Sequence, residues 1–192
     1  QGFTVLIDLA YQGMGSGLVE DAQGLRLMAS RLGELIVAAS CSKNLGLYRE
    51  RTGVALFFGR DTQSAAATQS HGLGAARRVY SMPPAHGALL AGRVLSDPQL
   101  RLSWERELEH VCGRMISLRT QLSEKLSAKT DQDFSFIAGE KGMFSFLGLS
   151  VEQAKGLRQT HGLYMLDSSR INVAALNADN MDKVVAAVAS AL

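Results

Sequence analysis

Short apolar runs alternate with helix-patterned segments through the first half of this chain, and that alternation is what most restricts the fold. Residues 3–7 (FTVLI) are rich in β-branched and aromatic side chains with little alternation of polarity, which predicts a strand buried on both faces. Residues 34–39 (ELIVAA) and 53–58 (GVALFF) predict two more strands. Between the first two, residues 19–32 place Ala22, Leu25, Met28, Ala29 and Leu32 three or four positions apart, the spacing of an amphipathic helix. Residues 62–78 predict a further helix, weakened by Gly72 and Gly74. The expected class is α/β.

The pattern changes at Ser81-Met82-Pro83-Pro84, where two prolines interrupt the chain before a small-residue helix over 85–95. Pro98 then stands at the first position of the longest periodic segment. Leu108, Val111, Cys112, Met115, Leu118, Leu122 and Leu126 recur every three or four residues, so one face of this helix is expected to be buried along its length. Strands are predicted over 134–137, 143–147, 163–166 and 170–174. Ser150-x-x-Gln153 has the spacing of a capping box, and a last helix is predicted over 180–191. The domain reading is therefore 1–96 for the α/β part and 97–192 for the long bridging helix with a smaller α+β domain.

Composition narrows the possible partners. Twenty Lys and Arg against 18 Asp and Glu, with no basic run, argue against nucleic acid. No apolar stretch approaches the ~20 residues of a membrane span. The amino-terminal residues show no basic region of a secretion signal, and Cys41 and Cys112 have no metal-ligand spacing around them, so reduced thiols and a cytoplasmic location are expected, with no metal.

The segment between the second and third strands, Ser40-Cys41-Ser42-Lys43-Asn44-Leu45-Gly46-Leu47-Tyr48-Arg49-Glu50-Arg51-Thr52-Gly53, lies where α/β folds place ligands. The hydroxyls of Ser40 and Ser42 and the planar fork of Arg51 suit a phosphate. A lysine among cations and partly withdrawn from water keeps more of its amine free to attack a carbonyl, the chemistry that Lys43 would supply. Phosphate grip and reactive amine in one loop suggest pyridoxal phosphate. Spacing alone leaves open a solvated surface loop.

This segment resembles the lysine signature of class I aminotransferases, S-x-S-K-N-F-G-L-Y-x-E-R-x-G, departing at Leu45. The resemblance continues through Asp8-Leu9-Ala10-Tyr11-Gln12-Gly13, Ser81-Met82-Pro83-Pro84-Ala85-His86-Gly87 with Met82 as a departure, Gly142-Met143-Phe144-Ser145-Phe146 and Ser169-Arg170-Ile171-Asn172-Val173-Ala174. It is similar to the bacterial aspartate and aromatic amino-acid enzymes. What it implies is part of the large pyridoxal-phosphate-binding domain, a mainly parallel sheet with helices, followed by a small α+β domain. It also implies a homodimer that exchanges amino groups between an amino acid and a 2-oxo acid such as 2-oxoglutarate.

On this resemblance Lys43 carries the cofactor's aldehyde and serves as catalytic acid and base. Asp8 pairs with the pyridine nitrogen, the Tyr11 hydroxyl meets the phenolic oxygen, and Ser40 and Arg51 hold the phosphate. A carboxylate buried at the end of an apolar strand would in any case demand a cationic partner. Arg170 would grip the substrate's α-carboxylate with its bidentate fork, Phe144 would line the substrate site, and Arg77 would reach across the dimer to a distal carboxylate. Read alone, Asp8 has the cap of a helix or turn as its lesser alternative, whereas a lone Phe144 is more often core and a lone Arg170 more often a solvated surface residue. His86, Cys41 and Trp104 are assigned no catalytic role; His86 and Trp104 read as structural and packing residues.

The resemblance begins partway through the family's large domain. The helix amino terminus that receives the phosphate, the ring stacked on the pyridine, an Asn bonded to the phenolic oxygen and the neighbouring subunit's tyrosine have no match here. The expectation is that these 192 residues alone bind cofactor weakly and have little activity. The alternative reading is a non-catalytic fragment that self-associates through exposed strand edges and the region 83–95.

Overall fold

A central strand flanked on both sides organises the first half of the molecule. The structure, a computed structural model, describes residues 2–192; Gln1, where the amino-terminal reading began, lies outside the described residues. Strand β1 (Val5–Leu9) pairs in parallel with β2 (Leu35–Ser40), which pairs antiparallel with β3 (Gly53–Phe58), giving the order β1-β2-β3. The α/β reading holds, but of these two pairings only one is parallel. Leu35 and Val37 of β2, two apart and so on one face of the sheet, are fully buried, whereas Ala38 on the other face is exposed.

β1 corrects its sequence reading. It starts two residues later than expected and is not covered on both faces: Leu6 is 65% exposed and Asp8 is exposed as well. An uninterrupted apolar pattern records that a strand tolerates cover on both faces; an edge strand receives only part of it. Because Asp8 is exposed, and not buried as its place in an apolar strand implies, burial imposes no need for a cationic partner there.

Helix α1 (Gln23–Arg31) follows a single 3-10 turn at Glu20–Ala22, and α2 runs over Thr62–Tyr80. Gly72 and Gly74 do not break α2. Its first turn is closed by a capping box in which the Asp61 carboxylate accepts from the Ser64 N–H at 2.7 Å, and a Cβ on Gly72 would stand 3.2 Å from the Phe57 ring of β3. Helix α3 (His86–Ser96) follows the two prolines, and α4 (Pro98–Lys129) begins at Pro98 as its residue type predicts.

Two compact units divide within α4, one reaching to Glu109 and the other spanning His110–Leu192. The second unit's core gathers Leu118, Leu122 and Leu126 of α4 with Phe134, Ile137, Leu157 and Val188. The face predicted for α4 is buried at Leu108, Cys112, Met115, Leu118, Leu122 and Leu126, with Val111 half-buried. Helix α6 (Val151–His161) opens with the expected capping box, the Ser150 hydroxyl accepting from the Gln153 N–H and the Gln153 side chain accepting from the Ser150 N–H; α7 (Met181–Ala191) closes the chain.

Two predicted strands are absent from this unit. Residues 134–137 lead into a helical turn, α5 (Ser135–Gly139): the Asp133 carboxylate accepts from the Ser135 N–H, and Phe134 and Ile137, three apart, both reach the core. Residues 163–166 have no neighbouring strand and form irregular backbone, tied down where Arg158 donates to the Met165 carbonyl and pairs with Asp167 at 2.7 Å. Strands β4 (Phe144–Phe146) and β5 (Arg170–Asn172) pair antiparallel. β5 ends earlier than predicted because the Asn172 side chain accepts from the Ala174 N–H and turns the chain into a 3-10 turn.

Candidate active site

At the carboxyl end of β2 the Ser40 hydroxyl donates to the Ser42 hydroxyl at 2.9 Å and accepts from the Ser42 N–H, a side-chain turn that ends the strand. Lys43 follows in the tight turn closed by the Gly46 N–H on the Lys43 carbonyl. Its Nζ lies 4.8 Å from the centroid of the Tyr11 ring, the range of a cation–π contact. Cys41, whose thiol is pushed up by burial, donates its N–H to the Thr52 carbonyl and so joins the two limbs of the loop. Arg51 sits on the second limb in a left-handed conformation (φ 52°), its guanidinium turned back on the Tyr48 carbonyl at 3.0 Å.

Asp8 belongs to the same end of the sheet. It pairs in register with Ala38, and side chains of a parallel pair share a face, so Asp8 and Ser40, two residues beyond Ala38, lie on one side. Four of the sequence-predicted residues, Asp8, Tyr11, Ser40 and Lys43, thus converge on one sheet end, with Arg51 on the loop that closes it. Arg77 does not join them: it is exposed in the last turn of α2.

Several residues that hold this arrangement were not singled out from the sequence. The Asp21 carboxylate accepts from the N–H groups of Gly13, Gly15 and Ser16 at 2.8–2.9 Å, shaping the turn that follows Tyr11. Gly13 sits at φ 89°, a backbone conformation that residues with a Cβ rarely adopt, and a Cβ there would also have to displace the Leu108 side chain. Asn44 donates to the Gln12 carbonyl, and Trp104, read as packing, donates its indole N–H to the Asn44 carbonyl at 2.6 Å. An acid a few residues beyond a Gly-rich turn was the one available signal. The Trp104 contact spans too much sequence to be read.

The second unit holds the other cluster. The Arg170 guanidinium lies 4.7 Å from the centroid of the Phe144 ring, and both line a cleft of about 1080 Å³ with Met165, Leu166, Asn172 and Leu176. A smaller cleft of about 390 Å³ in the first unit is lined by Ser40, Cys41, Asn44 and Trp104; Lys43 lines neither. Cleft size therefore points to Arg170, and loop chemistry to Lys43. The loop is the better guide to the reactive group, because it combines an amine with hydroxyls at a strand end.

The family model described as "Aminotransferase class I and II" matches residues 1–188. The chain belongs to this aminotransferase family. Among its relatives are the aromatic-amino-acid aminotransferase of Paracoccus denitrificans, 48% identical over 96% of this chain and 47% of that protein, and the aspartate aminotransferase of Escherichia coli, 43% identical over 100% and 49%. A solved aromatic-amino-acid aminotransferase from Burkholderia pseudomallei, covalently bound to pyridoxal phosphate, superimposes with a TM-score of 0.95 at 39% identity, covering 98% of this chain and 48% of that one. This aminotransferase chain spans about half the length of the curated relatives it matches. Among its described residues no helix is long and apolar enough to cross a membrane.

Proposed function

We propose that the protein carrying this chain is a homodimeric aminotransferase that uses pyridoxal phosphate to move an amino group between an aspartate or aromatic amino acid and a 2-oxo acid such as 2-oxoglutarate. The observation that carries this reading is the Lys43 amine held over the Tyr11 ring in a loop that also bears paired serine hydroxyls and Arg51. Family membership and the pyridoxal phosphate in a solved relative support it. Both an aspartate and an aromatic enzyme are among the relatives, so the substrate class is kept to these two.

The residues present fit the cofactor. Ser40, Ser42 and Arg51 offer hydroxyl and guanidinium donors to its phosphate. The Tyr11 hydroxyl is a donor for its phenolic oxygen, and Asp8 is an exposed carboxylate on the face that Ser40 shares, suited to keeping a proton on the pyridine nitrogen. When bound, pyridoxal phosphate supplies the sink for the electrons left as the substrate's Cα loses its proton. Lys43 is then the base that takes this proton and the acid that returns it one position away. Arg170 binds the α-carboxylate through two parallel N–H···O bonds, with Phe144 beneath it, and Arg77 meets a distal carboxylate in the partner subunit's site.

The test is the initial rate of amino transfer to 2-oxoglutarate from aspartate, tyrosine and phenylalanine, using the protein encoded by the complete reading frame and saturated with pyridoxal phosphate. Transfer from at least one of the three, reduced to background by Lys43→Ala, is expected. No transfer from any of them overturns the proposal.

A further inference from the structure

We infer that Arg119 is the positioning residue for Arg170, acting through the carbonyl of Phe144; its consequence for substrate rests on the proposed carboxylate role of Arg170. Arg119 sits in the buried stripe of α4 between Leu118 and Leu122, with its side chain only 2% exposed. A leucine there would extend the apolar face. A guanidinium in that position is tolerated only if its N–H groups find acceptors.

They do, all on one short segment. Nε donates to the Gly142 carbonyl at 3.2 Å, and Nη1 donates to the Ile137 carbonyl at 3.2 Å and to the Glu140 carboxylate at 3.0 Å. Nη2 donates to the carbonyls of Lys141, Gly142 and Phe144. Glu140 accepts in turn from the hydroxyl of Ser145, a fully buried residue of β4. One side chain of a long helix thereby fixes the turn that enters β4, and the first residue of that strand.

β4 needs such an anchor because its ladder with β5 is three residues long, Phe144 opposite Asn172 and Phe146 opposite Arg170. Phe144 and Arg170 lie diagonally across this ladder on one face, with the guanidinium on the ring. On the other strand, Arg170 follows the buried Ser169, which is left-handed (φ 60°) and donates its N–H to the Leu166 carbonyl. The backbone of Arg170 is thus set by Ser169 and its guanidinium by the Phe144 ring, whose own position is set by Arg119. Lysine cannot replace Arg119, since an ammonium reaches at most three acceptors and has no planar fork.

The test is the NMR signal of the Arg170 Nε–H, which the Phe144 ring shifts upfield when the guanidinium rests on it, compared between the unaltered protein and Arg119→Lys. The expected result is loss of that shift, with the unfolding transition still cooperative. If Arg119→Lys does not fold, Glu140→Gln weakens the same network and is read in the same way. An Arg170 signal unmoved in a folded variant overturns the inference, whether or not the protein transfers amino groups. In the active protein, Arg119→Lys should raise KM for the amino acid about tenfold, with kcat changed less than about threefold and pyridoxal phosphate affinity unchanged. Equal losses in all three would mark a structural role only and overturn the inference. Absence of transfer by the unaltered protein would instead count against the proposed function, leaving the NMR result to decide the positioning role.

Discussion

The ammonium of Lys43 stands 4.8 Å from the centre of the Tyr11 ring, although the two residues come from turns after different strands. The ring gives a long, flexible side chain a resting place at the end of the sheet, and such contacts contribute about 0.5–2 kcal/mol. Tyr11→Phe keeps the ring, and pyridoxal phosphate should still be captured at Lys43. Tyr11→Ala removes it; because the contact favours the ammonium and is given up when the amine captures the aldehyde, the concentration for half-maximal capture should fall about 2- to 30-fold relative to Tyr11→Phe. Titration followed by visible absorbance separates the two variants; equal effects would mean that the ring does not hold the amine.

The motif Pro83-Pro84-Ala85-His86-Gly87 acts on the lysine loop from outside. His86 Nδ1 lies 2.9 Å from the Glu50 carboxylate, and a Cβ on Gly87 would come within 1.9 Å of the Thr52 hydroxyl and 2.6 Å of the Glu50 Cβ. Gly87→Ala should therefore destabilise the first unit by about 1–3 kcal/mol. Gly92→Ala, on the same helix with open space around it, should stabilise by about 0.5–1 kcal/mol. Thermal melting of the two variants in opposite directions is the expected outcome.

Acid should loosen helix starts before cores. The Ser64 N–H holds the Asp61 carboxyl below its ordinary value of 3.8, and the N–H groups of Leu100 and Gln99 do the same for Asp97. Carboxyls lowered in the folded state contribute fully above that ordinary value, and the contribution is lost as pH falls through their folded values. Stability should thus be flat on this account from neutral pH to about pH 5 and fall below about pH 3.8, less steeply in the Asp61→Asn, Asp97→Asn double variant. Far-UV circular dichroism during acid titration measures both slopes; identical slopes would contradict the assignment.

Leu122 is fully buried in the second unit's core, beside Leu118 and Leu126. Leu122→Ala should cost about 2–5 kcal/mol, whereas Ser150→Ala, which removes only the α6 cap, should cost about 1 kcal/mol. Chemical denaturation gives both values, and a smaller loss for Leu122→Ala than for Ser150→Ala would contradict this view of the core.

Legibility in the sequence followed how local each interaction is. The buried stripe of α4 and the Ser150–Gln153 cap are written in spacings of three or four residues, and the 53–58 strand was readable because its partner 35–40 lies just before it, across one loop. Residues 163–166 failed as a strand because pairing needs a partner, which an apolar pattern does not supply. In the candidate site, Lys43, Ser40 and Arg51 stood out because they share one segment. Asp21, Trp104 and Arg119 did not, because their roles consist of contacts with distant backbone.

The most direct test of the central claim is borohydride reduction of the protein saturated with pyridoxal phosphate, followed by peptide mass mapping. The account predicts a pyridoxyl group fixed to Lys43 and its disappearance in Lys43→Ala. A label carried by other lysines, with the Lys43 peptide unmodified, would contradict it.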